Sequence, residues 1–435
     1  MKRYSEYKDS GVKWIGEIPG HWKITTLKRH CKVNTGGTPS MSESRFYESP
    51  TIPWFTPGDL SENLKLSDST RKLSKTVIKE GVCKLFPINT VYFVGIGATV
   101  GKVGYSEHSA YCNQQINALI PYDINYKYLT YYLVFCKPEI VRIASASTLP
   151  IINQSKTGNI PLIELSLPEQ QAIVTYLDSK VAKIDEYISI AEKKIAALEE
   201  LKQTIIAEAV TRGIHKDVPM KDSGVKWIGM IPEHWKKNKI MRLFSHIGSG
   251  TTPKGDLYYT DESNGIPWIN SGDLNYGFLT KCNKYITEKA LNDISTLKKY
   301  PINTLMIAMY GASIGKYAIS HIEGCTNQAC CALYGIKDEL NLTYASYLMG
   351  PCKQKWIEES FGGTQPNISA EKIKQTWLPL PPLPEQQEIV TYLDSKVASI
   401  NQLCQAERSQ IEKLKEYKQR LISDVVTGKV KVTND

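Results

Sequence analysis

The nine letters KDSGVKWIG occupy residues 8–16 and recur unchanged at residues 221–229. Three further landmarks recur in the same order: IPWFTPGDL with IPWINSGDL (from 52 and 266), FPINTVYFVGIGATVGKV with YPINTLMIAMYGASIGKY (from 86 and 300), and LPEQQAIVTYLDSKVA with LPEQQEIVTYLDSKVA (from 167 and 383). The offsets are 213, 214, 214 and 216, so the 435 residues are two copies of one unit separated by small insertions. A fixed internal period of this kind decides the architecture before any local reading does.

The copies are not evenly alike. Residues 8–23 match 221–236 at 14 of 16 positions and 167–182 match 383–398 at 15 of 16, whereas 40–51 against 254–265, or 122–150 against 336–364, share little. Two segments are held alike and two are allowed to differ. The alike parts are expected to meet the same thing twice, and the unlike parts two different things.

After LPEQQ, Leu177, Val181, Ile184, Ile188, Ala191, Ile195 and Leu198 alternate spacings of four and three, and Ile205 extends the row. This predicts one apolar seam along a helix. Leu393, Val397, Ile400, Cys404, Ile411, Leu414, Leu421 and Val425 repeat it, interrupted by Glu407 and Lys418. Neither stretch contains Pro or Gly between 169 and 211 or between 385 and 427, so each predicts a helix of about 40 residues, about 60 Å long. Helices of that length normally need a partner helix. The divergent stretches read instead as short strands punctuated by Gly, Pro, Asn and Thr, as in NTGGTPS and GSGTTPK, which predicts a compact mixed domain in each copy. The joints NIPLIELSLPEQ and LPLPPLPEQ end each domain before its helix begins. The expected fold is α+β: two pseudo-symmetric domains joined by two long antiparallel coiled-coil helices. Its predicted segments are 1–20 and 215–235 (shared segment), 21–165 and 236–382 (divergent domains), 166–214 and 383–428 (long helices), and a tail at 429–435.

The net charge is +9, and the divergent domains carry the excess: 16 Lys/Arg against 10 Asp/Glu over residues 20–165, and 16 against 12 over 236–382. A phosphate backbone is one partner that favours this distribution. The start MKRYSEYKDS is too polar for a secretory signal and no apolar run is long enough to span a membrane, which predicts a cytoplasmic protein. Ten cysteines without a CxxC pair predict reduced, buried thiols.

Catalytic patterns are missing. Gly97 and Gly101–Lys102 leave three residues where a Walker loop needs four, and Val103 follows where Ser or Thr is required. Met309 replaces Gly95 in the second copy, which removes a dinucleotide fingerprint. His108-x3-Cys112, repeated as His321-x3-Cys325, supplies only half a zinc site. No Ser/His/Asp set, HExxH or carboxylate pair repeats between the copies, so the chain reads as a binder.

The ordered set KDSGVKWIGEIPGHW, GGTPS, IPWFTPGDL, GATVGK, NQQ, LPEQQAIVTYLD and a long helix, given twice, resembles the specificity subunit of type I restriction-modification systems over essentially the whole chain. The resemblance implies a non-catalytic subunit in which each divergent domain reads one half of a bipartite target in double-stranded DNA and the helices set the spacer. Partners would be two modification (methyltransferase) subunits and the restriction/translocase subunits. S-adenosylmethionine, ATP and Mg2+ would belong to those partners, with no cofactor or metal in this chain, and the DPPY-like tetrapeptide of an adenine methyltransferase is indeed missing. Candidate DNA-binding residues are Thr38, Arg45, Lys102, Asn113 and Gln114, with Thr252, Lys254, Lys316, Asn327 and Gln328 in the second copy. Base discrimination is expected from 40–51, 61–80, 254–265 and 275–299, and backbone contact from Lys102 and Lys316. Asp9, Lys13 and Trp14, repeated as Asp222, Lys226 and Trp227, are candidates for docking the modification subunits, with packing inside the domain the other role open to the tryptophans. A paired-domain protein scaffold, and a silent or recombining specificity cassette, are the alternatives.

Overall fold

The computed structural model describes residues 3–144, 150–360 and 367–432. It divides into two compact units, residues 1–191 with 409–435 and residues 192–408. The division cuts through both long helices instead of falling between them, so each unit takes the beginning of one helix and the end of the other.

In the first unit four antiparallel strands form a sheet in the order Cys31–Thr35, Ile116–Pro121, Thr90–Val94, Val103–Ser106. The strand Thr90–Val94 is apolar at nearly every position because both of its faces are covered. Val91 and Phe93 point into one core, which includes helix Tyr126–Ala144, and Tyr92 and Val94 point into another with Phe55, Phe86 and Ala118. Alternation with period two thus survives inside a continuous apolar run. The second unit repeats this sheet as Phe244–Ser249, Cys330–Ile336, Thr304–Ala308, Tyr317–Ser320 and adds Phe278–Leu279 alongside, parallel to the last strand. Leu305 and Ile307 face the main core and Met306 and Ala308 the other. The Pro-rich joints carry a strand each: Pro161–Glu164 pairs with Lys23–Thr26, and Trp377–Leu380 with Lys236–Lys239.

KDSGVKWIG closes a small hairpin. Tyr7–Asp9 pairs with Glu17–Pro19 and Met220–Asp222 with Met230–Pro232. In each hairpin the Asp9 or Asp222 carboxylate accepts the N–H of Gly11 or Gly224 at the turn.

The long helices run Leu167–Arg212 and Leu383–Val426, 46 and 44 residues. Pro168 and Pro384 stand at the second helical residue, where a missing N–H costs nothing. Both helices end at a glycine with positive φ, Gly213 (77°) and Gly428 (75°). At Gly428 a Cβ would also lie 2.5 Å from Pro19, so only glycine fits.

The predicted seam is covered throughout. In the first unit Leu177, Val181 and Ile184 are buried together with Leu421 and Val425, and Ile188 and Leu414 pack against them. In the second, Leu393 is buried among Ile206, Ala209 and Val210, with Val397 and Ile205 alongside. Ala191, Ile400, Cys404 and Ile411 are buried; Ile195 and Leu198 are half-buried. The segments are antiparallel in both units: Lys418 meets Asp185 at 2.7 Å in the first, and Lys194 meets Glu407 at 2.5 Å and Lys202 meets Asn401 at 3.1 Å in the second. The two residues that interrupt the apolar pattern, Glu407 and Lys418, therefore both pair across the seam. Polar groups at such positions fix register, because a slipped pairing leaves them unpartnered in apolar surroundings.

Lys418 and Lys202 stand 216 residues apart, as do Asn401 and Asp185, so the same lysine meets a carboxylate in one unit and an amide in the other. Asp185→Asn should therefore be close to neutral. Lys418→Ala should cost about 1–2 kcal/mol, because the lysine is buried and Asp185 is about half exposed. Lys418→Met, which refills the seam, should stay within about 1 kcal/mol of the parent. Urea unfolding followed by helical circular dichroism checks all three.

Candidate nucleic-acid interface

Four loops converge at one rim of each sheet. In the first unit they are 36–39, 56–59, 97–102 and 113–115. Gly36 lies so close to the short strand Tyr111–Cys112 that a Cβ would sit 2.1 Å from the Cys112 carbonyl, which explains the glycine in NTGGTPS; Gly250 stands in the same way against Thr326. Gly37 donates to the Cys112 carbonyl, and Asn113 donates its N–H to the Phe55 carbonyl at 2.9 Å. The Lys102 turn joins the rim through Gly95, whose N–H bonds the Gln115 carbonyl at 2.8 Å.

The shared Thr–Gln pair behaves alike in both units. The Thr38 hydroxyl donates to the Gln114 side-chain oxygen, and Thr252 does the same to Gln328. Thr38, Gln114 and Gln328 are exposed and Thr252 is half-buried, so this pair of groups lies open on the rim. Asn113 is buried and its amide is engaged inside the loop, donating to Gln115 at 3.1 Å and accepting from the Gln115 N–H. Asn327 is half-buried, accepts from the Ala329 N–H and donates to Asn270 at 2.9 Å. Of the motif NQQ, and of NQA in the second copy, the residue after the asparagine is the open one and the asparagine shapes the turn. Lys102 and Lys316 are half-buried at the mouths of two equivalent strand turns.

Beside this rim stands a layer built from the divergent stretches, with its own small core. Phe46, Leu73, Val77, Cys83 and Tyr111 gather around the shared Trp54. Ile286, Ala290, Leu297 and Cys325 gather around the shared Trp268. Each tryptophan donates its indole N–H to the Gly loop, Trp54 to Gly37 and Trp268 to Thr251, both at 3.1 Å. Tyr47 and Tyr259 tie the layer to the same loop through Pro39 and Pro253. Arg45 belongs to this layer, exposed, and bridges Glu43 at 2.8 Å and Glu80 at 3.1 Å; Lys254 is exposed at the start of the matching stretch.

The docking candidates lie apart from this rim. Asp9, Lys13, Asp222 and Lys226 are exposed on the hairpins. Trp14 and Trp227 are half-buried against the main cores, Trp14 at 5.4 Å from Phe135.

Several residues escaped sequence reasoning. Trp22 and Trp235 are fully buried and donate to Glu169 and Glu385 in the first turn of each long helix, both at 3.0 Å, while His21 and His234 contact the same carboxylates. Tyr131 and Tyr347 donate to Asp178 and Asp394, and the Gln170 and Gln386 side chains accept the N–H of Asn125 and Asn341. His21, Trp22, Glu169, Gln170 and Asp178 and their counterparts sit in the repeated segments, so their signal was the repeat itself; Asn125, Tyr131, Asn341 and Tyr347 lie in the divergent stretches, where no landmark marks them. Much of the identity between the copies is therefore spent inside each unit, holding domain to helix.

The His-x3-Cys pairs are structural. Cys112 and Cys325 are buried, and burial pushes the Cys325 thiol up to about 11, so it stays protonated. Among the described residues no cluster of His, Cys, Asp and Glu could hold a metal ion. Among them, too, no helix is long and apolar enough to cross a membrane.

A type I restriction modification DNA specificity domain matches residues 19–200 and again 232–413. The chain belongs to that family. Similar curated proteins include the type I restriction enzyme MjaIX specificity subunit of Methanocaldococcus jannaschii, 25% identical over 98% of this chain and 97% of its own length. The EcoR124I/EcoR124II specificity subunit of Escherichia coli is 29% identical over 41% of this chain and 44% of its own. A solved chain from a study of complex assembly and conformational transition of the type I R-M system shares the fold, with a TM-score of 0.69 and 15% identity over 94% of this chain and 98% of that one. The chain is thus a DNA-recognition subunit of a type I restriction-modification system, and the enzyme chemistry is not its own.

Lysines common to both units cannot tell two unlike half-sites apart. Lys102→Ala should weaken binding to all DNA sequences similarly and lower the slope of log affinity against log salt by about one. Fluorescence anisotropy titrations at several salt concentrations, with cognate and scrambled duplexes, check this.

Proposed function

We propose that each unit reads one half of a bipartite site in double-stranded DNA. The shared rim (Thr38, Gln114 and Lys102, with Thr252, Gln328 and Lys316) holds the sugar-phosphate backbone, and the divergent layer, including Arg45 and Lys254, contacts base edges. One observation carries this reading: the same open Thr–Gln pair stands in both units directly beside layers of unlike sequence. A surface met twice in the same way, next to one that differs, suits a ligand with a uniform backbone and variable bases. Asn113 and Asn327 serve by shaping the loop that presents the glutamine.

The same reading assigns partners. Two modification subunits, carrying S-adenosylmethionine, would dock on the exposed duplicated residues Asp9, Lys13, Asp222 and Lys226, with Trp14 and Trp227 stiffening the hairpins behind them. Restriction/translocase subunits, with ATP and Mg2+, complete the complex, and the chain works in the cytoplasm where its DNA is. Lys13→Glu together with Lys226→Glu should abolish co-purification with the modification subunit and leave the melting temperature unchanged. Retained co-purification would place docking elsewhere.

Helix length sets the spacer in this scheme. Half-sites on one face of the duplex would lie about one turn, roughly 34 Å, apart. Four residues inserted after Leu198 add about 6 Å and rotate the downstream seam by about 40°, so matched insertions after Leu198 and Leu414 preserve pairing better than one alone. The doubly inserted variant, expressed with its modification subunits, should methylate a site with both half-sites intact and a longer spacer. Methylome sequencing reads this directly, and an active complex with the original spacer would show that the helices do not set the distance.

A further inference from the structure

The motif GDL appears in both copies, and its aspartate does the same work in each. One Asp59 oxygen accepts the N–H and hydroxyl of Thr56, both at 2.8 Å; the other accepts the N–H of Thr70 at 2.8 Å and its hydroxyl at 2.7 Å. In the second unit one Asp273 oxygen accepts the Asn270 N–H at 2.8 Å, and the other accepts the Asn283 N–H at 3.2 Å and its side-chain amide at 2.6 Å. Each carboxylate therefore ties a turn on the rim to a residue ten or eleven positions later, across an excursion (60–69 or 274–282) that has diverged between the copies. The turn it holds is the rim itself: Phe55 and Ile269, which precede it, accept the N–H of Asn113 and Asn327. From Thr70 and Asn283 the chain runs straight into the divergent layer, since the next carbonyls, of Arg71 and Lys284, accept the N–H of Trp54 and Trp268.

We propose that Asp59 and Asp273 are positioning residues for base readout, each clamping the divergent loop that follows it to the shared rim and so fixing how that loop meets the DNA. The proposal rests on the reading that the divergent layer contacts bases. Burial raises the Asp59 carboxyl, but the N–H groups of Thr70 and Thr56 and then their hydroxyls outweigh it and hold the group below the usual aspartate range. The clamp is thus ionised at neutral pH, where four donors converge on it. A neutral amide fails there: Asn presents one N–H2 to donors, so either the rim turn or the loop is released.

The test uses the full chain assembled with its modification subunits and a duplex library randomised in one half-site at a time, with methylation as the readout. Asp59→Asn should lower discrimination at one or more positions of one half-site about tenfold, leave the other half-site as in the parent, and leave affinity for non-specific duplex and its salt slope unchanged. Asp273→Asn should do the same to the opposite half-site. Thr70→Val removes only the hydroxyl and should relax the same half-site as Asp59→Asn by a smaller factor; it decides the matter if Asp59→Asn does not fold. Both half-sites read as in the parent, or a loss equal for all sequences, overturns the proposal. Alanine at the exposed Glu62, Asn63 and Lys65 separates the two levels. If it leaves the half-site unchanged, this loop does not read bases and the underlying reading falls there; if it alters the half-site while Asp59→Asn does not, the positioning role alone is lost.

Discussion

Each unit is organised around one carboxylate at the start of a long helix. Glu169 lies where the helix N-terminus favours negative charge, and with Ser166 it forms a capping box, the hydroxyl accepting from the Glu169 N–H and the carboxylate from the Ser166 side chain. The same carboxylate takes the indole N–H of the fully buried Trp22 and a contact from His21. Burial raises Glu169, and the bonds from His21, Trp22 and Ser166 more than offset it, so the group is held below its ordinary value. One side chain thereby starts the helix, fixes the shared hairpin and closes the main core. Glu385 takes the same two contacts from Trp235 and His234, while Pro382 stands where Ser166 does, so the second helix starts without the capping box. Were the indole to lose this acceptor, a donor would be left buried in an apolar core, which explains why the landmark HW and the landmark LPEQQ travel together.

From that anchor the units are built outwards in layers of decreasing constraint. The strand buried on both faces, the domain helix held to the long helix through Asp178 or Asp394, and the seam leave little room for substitution. The rim comes next, its glycines required by close backbone approach. The divergent layer stands outermost and brings its own small core, so its sequence can change without disturbing what lies beneath.

The repeat, both long helices, the seam and the central strands were legible in the sequence, because each depends on a local period. Other features depend on contacts that no period announces. The compact units interleave, the first taking residues 409–435 from the far end of the chain. Asn113 and Asn327 look open beside a polar glutamine, yet backbone N–H groups from their own loop turn them inward. Arg45 reads as a free cation until the fold brings Glu80 to within 3.1 Å. The aspartate of GDL was visible as a repeated letter, but its partners Thr70 and Asn283 differ in type and in spacing, so no comparison of the copies could pair them.

Divergence of recognition without loss of fold requires fixed points at which a changing layer can be attached. Each unit has three, and all use groups whose partners tolerate change. The Trp54 and Trp268 indoles and the Tyr47 and Tyr259 hydroxyls bond backbone carbonyls of the Gly loop, which any sequence supplies. Asp59 and Asp273 accept a backbone N–H together with whatever short donor follows it, a hydroxyl in one unit and an amide in the other. A backbone partner makes the attachment independent of side-chain identity, and a carboxylate with two oxygens tolerates a loop one residue longer or shorter, as the two units differ here. The attachment is therefore specific in place and permissive in sequence, which is the physical condition for one scaffold to carry two unlike recognition surfaces.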